Sequence, residues 1–186
     1  MAELRAALVH GPGSAIAAAF TVLVIVLTSG SQAGAAVTGR TSTTPDGASE
    51  DHSRARGYRF TRVERCFLKR INRRRDRAGL RRLRWDRQLG YVARRHAGRM
   101  ARTAGVSHDP RLTRKVTRWR SLGQNSGMGK RCRGLFRAFW RSSGHRSNIL
   151  GRWRFVGVGV RRSNKRLYVQ QIFEYRSNPG NIYGHP

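Results

Sequence analysis

The sequence predicts an α+β domain. Apolar residues recur at helical spacing in three separate segments between Val63 and Phe139. Phe155–Val160 then alternates strictly, and a second extended run, Leu167–Tyr175, follows across the turn residues Ser163, Asn164 and Lys165. Helices that come first and a hairpin that comes last must cover at least one face of a sheet.

The chain has 186 residues, enough for one domain with a sizeable core and appendages. Residues 1–36 read as an export signal: a modest basic start at Arg5, an apolar run from Ala15 to Leu27, then the small residues of SGSQAGAA. The run is short for a membrane span, and an uncleaved N-terminal anchor is the alternative. Residues 37–60 form a linker rich in Thr, Ser, Gly and Asp, with too little apolar content to offset the entropy of ordering it. The domain proper is placed at 61–176, with a tail at 177–186.

Within the domain, Val63, Cys66, Phe67, Arg70 and Ile71 share a first helical stripe, with Gly79 as its stop. Asp86 suits the N-cap of a second helix that buries Leu89, Val92, Ala93, Ala97 and Met100 and ends at Gly105. His96 lies on that stripe and reads as a packed structural histidine. Val106–Arg120 is irregular, and Leu122–Gly129 is Gly-rich, extended or looped. A third helix, about Arg131–Arg141, carries Cys132, Leu135, Phe136 and Phe139 on one stripe. A break at Gly144 follows, with His145 directly after it. On the first strand Val156, Val158 and Val160 face one side. Gly157 and Gly159 face the other, where another backbone can come close.

Five stretches in order resemble the bacterial type of the CAP superfamily (cysteine-rich secretory proteins, antigen 5, pathogenesis-related 1). They are INRRRDRAGLRRLRWDRQL, ARRHAGRMA, SHD at Ser107–Asp109, LGQN at Leu122–Asn125, and W-x-x-S-G-H-R-x-N-I-L followed by FVGVGV. The resemblance runs from about Val63 to Glu174. It implies a three-layer α-β-α sandwich, where pattern alone gives only α+β. It also implies a cleft holding His108, Gln124 and His145, with Asn125 and Asn148 in support.

Two neutral imidazoles, His108 and His145, could ligate Zn²⁺ with open positions. The family's two cleft glutamates have no counterpart here. Gln124 stands where one is expected, and Leu135–Ser143 contains no acid. An amide keeps the shape but cannot act as a general base. The expectation is therefore a non-enzymatic, secreted protein whose cleft takes a divalent metal or a small apolar ligand, a lipid or a cell-wall component being the candidate partners. No nucleophile–base–orienter set, phosphate loop or Cys/His zinc cluster is visible.

Cys66 and Cys132 are the only cysteines, on the apolar stripes of two helices in a chain expected to be exported. A Cys66–Cys132 disulfide is expected, two buried free thiols being the alternative. The charge carries a second functional reading. Thirty-nine basic residues, nearly all Arg, stand against nine acidic ones, a formal net charge of +30. Such a surface attracts polyanions: nucleic acid, wall polymer or anionic membrane.

Overall fold

The structure, a computed structural model, describes residues 54–175. The expected signal (1–36), most of the linker and the tail (177–186) lie outside the described residues. The linker boundary at 60 is corrected: Ala55, Tyr58 and Phe60 are buried. Tyr58 and Phe60 pack edge to face with ring centroids 5.0 Å apart, so two aromatics at the end of a polar stretch already belong to the core.

Helix α1 spans Arg62–Arg77. Thr61 and Glu64 form a capping box at its start. Glu64 is fully buried, yet it also accepts from the Tyr58 hydroxyl (2.9 Å), the Val160 N–H (3.0 Å) and the Arg94 guanidinium, so its charge is compensated. The helix stops where Gly79 takes φ +65°. Asn72 then clamps the returning chain, donating to Leu83 O (3.0 Å) and accepting from Leu83 N (2.8 Å). That positions strand β1, Arg84–Trp85, a two-residue element the sequence pattern is too short to reveal.

Helix α2, Arg87–Thr103, starts at Asp86, whose side chain accepts from Leu89 N at 2.9 Å. It ends at Ala104 in the left-handed conformation, one residue before the expected Gly105. The irregular stretch holds a single helical turn, α3 (Leu112–Lys115). Strand β2 is Ser121–Gly129, fully extended rather than looped. Helices α4 (Cys132–Arg141) and α5 (Ser143–Leu150) follow. The break between them falls at Ser142, whose ψ of 124° is extended, while Gly144 sits inside the first turn of α5. Ser142 serves both helices, donating to Ala138 O and accepting from Arg146 N, which is why the corner forms there. Strands β3 (Phe155–Ser163) and β4 (Arg166–Tyr175) make the expected hairpin. Asn164 and Lys165 both have positive φ, as a two-residue hairpin turn requires.

The sheet order is β1-β3-β4-β2, antiparallel except for the β1–β3 pair. Val156, Val158, Val169 and Phe173 face α1, α4 and α5, packing with Phe67, Leu68, Ile71, Phe139 and Ile149. On the opposite face α2 lies directly on the strand backbone. A Cβ at Gly159 would stand 1.9 Å from Arg94 N, and one at Gly157 2.3 Å from Gly90 N. The result is a helix–sheet–helix sandwich. Cys66 and Cys132 form the expected disulfide, joining α1 to α4 with a Cα–Cα distance of 6.5 Å.

Candidate functional site

Strand β2 organises the site, because its alternation sends neighbouring side chains to opposite faces. Gln124 points toward the α2 side. Its carbonyl oxygen accepts from Asp109 N (2.9 Å) and from the Gln170 amide (2.7 Å), and its amide donates to Asp109 O (3.3 Å). Gln170 in turn accepts from the Ser126 hydroxyl. Asn125 points the other way. It donates to His145 O (3.2 Å) and Gln171 Oε1 (3.1 Å), and accepts from Asn148 Nδ2 (2.9 Å), which also reaches Gln124 O (3.1 Å). Two adjacent amides thus hold the segment that carries His108 and the helix that carries His145.

Further contacts fix His108 from both sides. Preceding it, Ser107 O receives the Nε2–H of His96 at 2.8 Å. That tautomer follows from Nδ1, which faces an Arg99 nitrogen at 2.9 Å and must be the acceptor. His96 is thus a structural residue. Following His108, the Asp109 carboxylate is buried and bonded to Lys115 Nζ (2.7 and 2.8 Å), Arg99 Nη2 (2.8 Å) and Arg111 N (3.1 Å). Burial pushes its pKa up, but Lys115, the Arg111 N–H and Arg99 outweigh that and hold it below the ordinary carboxylate range.

His145 is 4% exposed, in the first turn of α5, with the Phe139 ring 5.0 Å away. Burial lowers its pKa, and so does the nearby His108. Half-buried His108 is lowered by burial. Each imidazole therefore offers one donor and one acceptor at neutral pH.

Neutral imidazoles suit Zn²⁺, but the donor set here falls short of a resident metal centre. Among the described residues, no three of His, Cys, Asp and Glu gather to hold an ion. Gln124 has its amide committed to Asp109 and Gln170, and the Asp109 carboxylate is held by two cations. Any ion at this place would rest on two imidazoles.

A model of the cysteine-rich secretory protein family matches residues 68–175. The chain belongs to that family. Solved structures agree on the fold of this family member. An extracellular protein from Bacillus anthracis str. Ames that contains an SCP domain aligns at 25% identity and TM-score 0.55, over 74% of this chain and 45% of that one. A cysteine-rich secretory protein from Staphylococcus aureus aligns at 22% identity and TM-score 0.51, over 60% and 38%. An outer surface protein from Borrelia burgdorferi aligns at 15% and TM-score 0.54, over 59% and 90%. The chain thus spans less than half of the two SCP-containing proteins from Bacillus and Staphylococcus. A comparison with curated proteins finds no match.

Pattern reasoning missed several residues that build this family member's site. Arg75 reaches from α1 to the end of α5, donating to Ile149 O (2.9 Å) and Gly151 O (2.8 Å). Asp109, Gln170 and Gln171 were also missed as network members. The two glutamines in the middle of an apolar strand were the available signal, since buried amides demand partners.

Proposed function

We propose that this cysteine-rich secretory protein family member works outside the cytoplasm as a non-catalytic binding module. Its binding element is the His108–His145 imidazole pair. The pair takes the hydrogen-bonding head of a small, otherwise apolar ligand, or a loosely held divalent ion. The observation that carries the reading is the Gln124–Asn125 dipeptide, which ties both histidine-bearing segments to one point of β2.

A non-catalytic role is supported by the state of the neighbouring groups. The residue in the glutamate's place is an amide, and the Asp109 carboxylate is held charged by Lys115 and Arg99. Neither is free to take a proton from a substrate. An extracellular setting is supported by the Cys66–Cys132 bridge, which persists in oxidising surroundings, and by the extracellular Bacillus relative. Among the described residues no helix is long and apolar enough to cross a membrane.

The test is a calorimetric Zn²⁺ titration of the protein beside His108→Ala and His145→Ala, with imidazole NMR spectra recorded against Zn²⁺ and against a long-chain fatty alcohol. Weak binding of one ion, lost in both variants, supports the metal form. Equal heats in all three proteins remove it. If neither probe moves the His108 and His145 resonances, the whole reading fails.

A further inference from the structure

The disulfide pins α1 beside α4, and the face around it is crowded with cations. Arg62, Arg65, Lys69, Arg70 and Arg73 line a groove of about 330 Å³ with Cys66 at its floor. Their spacing along α1 puts them on one helical face, about 16 Å from first to last at 1.5 Å per residue. Arg133 and Arg137 project from α4 one turn apart. Arg70 holds its proton less tightly than a free guanidinium, first because it is partly buried and then because Arg133, Arg73, Arg137 and Arg74 surround it. None of the five groove-lining cations, nor Arg133 or Arg137, forms an ion pair with a carboxylate among the described residues. The nearby acids are engaged elsewhere, Glu64 by Arg94 and Asp76 by Arg82.

Such a face is electrostatically incomplete, and its surroundings narrow what completes it. A bilayer is disfavoured: the one large hydrophobic residue that stands exposed among those described is Val106, beyond the end of α2 and away from this groove. Base stacking is disfavoured too. Among the described residues no aromatic side chain lines the groove, and the Trp140 ring of α4 already carries the Arg74 guanidinium 4.4 Å from its centroid. The features left are rows of cations one helical turn apart over a narrow groove. We propose that the α1–α4 face docks a single linear polyol-phosphate chain, successive phosphates seating against successive turns of α1. Arg forks match phosphate oxygens bidentately, and flexible phosphodiester chains need no deep pocket. The histidine site takes no part in this.

The probe is poly(glycerol phosphate), with binding followed by calorimetry between 50 and 200 mM salt. Four phosphate seats, one per turn from Arg62 to Arg73, give a log–log salt slope of roughly −2.8, using about 0.7 per phosphate for a single chain. Arg70→Gln/Arg73→Gln is expected to cut affinity about tenfold and to flatten the slope by about 1.4. The control, Arg102→Gln/Arg162→Gln, removes the same charge from the groove between α2 and the hairpin. It is expected to change affinity less than about twofold, because long-range charge is screened. An equal loss in the control overturns the proposal, since net charge alone would explain the binding. Tighter binding to an oligothymidylate with the same number of phosphates, or to anionic phospholipid vesicles, overturns it as well. Near-UV circular dichroism confirms folding of each variant. If Arg70→Gln/Arg73→Gln does not fold, Arg133→Gln/Arg137→Gln asks the same question from α4.

Discussion

Gln124→Glu installs the acid that the family pattern places at this position, and the surroundings of Gln124 predict a pH-dependent penalty. The wild-type oxygen accepts from Asp109 N and Gln170, which a carboxylate can still do. The wild-type amide donates to Asp109 O, and there a carboxylate oxygen would face a carbonyl oxygen with the site 4% exposed. A protonated Glu restores that donor, so the folded state favours the neutral acid and its folded pKa rises. A group with a raised pKa loses stability as pH climbs from its unfolded value, about 4.3, to its folded one. A rise of about two units, moderate for a buried carboxyl with two donors left, costs ~3 kcal/mol above that window. At pH 4.5 the loss relative to wild type should stay under ~1 kcal/mol. Urea unfolding of both proteins at pH 4.5 and 7.5 reads the difference directly. Equal losses at the two pH values, or a variant within about 0.5 kcal/mol of wild type at pH 7.5, would refute the account of Gln124 as a required donor.

Gly159→Ala places a methyl 1.9 Å from Arg94 N and 2.1 Å from Ala93 C, both backbone, so α2 must retreat from the sheet. The expected cost is ~3 kcal/mol or more. Gly134→Ala in α4 meets nothing within 4 Å and should stabilise by ~0.5–1 kcal/mol. Chemical denaturation of the pair checks the contrast, and a Gly159→Ala protein as stable as wild type would contradict the close approach of α2. Removing the bridge with Cys66→Ser/Cys132→Ser opens a sequence separation of 66 residues and should cost roughly 4 kcal/mol; a shift below about 1 kcal/mol would show that it staples little. Histidines 96, 108 and 145 all have lowered pKa values, so the unfolded chain binds protons first as pH falls. Stability should decline from about pH 6.5 downward, with Asp109 adding its own loss as pH falls through and below the ordinary carboxylate range. His96→Gln should flatten that decline in a midpoint series from pH 7.5 to 5.5, and an unchanged slope would remove His96 from the account.

The parts of the fold that repeat were legible in the sequence. The stripes of α1, α2 and α4 and the Gly/Val alternation of β3 are periodic signals, and the two cysteines on neighbouring stripes pointed to their bridge. The parts that depend on single partners were not. Strand β1 has two residues and exists because Asn72 holds Leu83 and because β3 offers an edge. Strand β2 hides in SLGQNSGMG because its glycines make room for Phe139, Leu135 and Trp153, a requirement set by the other layer. Gln124 and Asn125 were visible as candidates, but their division of labour between two faces needs the register with Gln170 and Gln171. Thr61 and Glu64 stand at capping-box spacing before the first helical stripe, a signal that went unread beside the stripes. Nothing in that spacing tells that Glu64 also gathers Tyr58, Arg94 and Val160.

Helix α1 is fastened at two points nine residues apart, to α4 by the covalent bridge at Cys66 and to α5 by the fork of Arg75. The two fastenings answer to different agents. A reductant releases the α4 arm and leaves the α5 carbonyls gripped; nothing that acts on sulfur touches the guanidinium. Loss of the link to α4, which carries Arg133 and Arg137, and loss of the link to α5, which carries His145, are therefore separable events. A protein that meets a reducing milieu loosens the first while keeping the second in register.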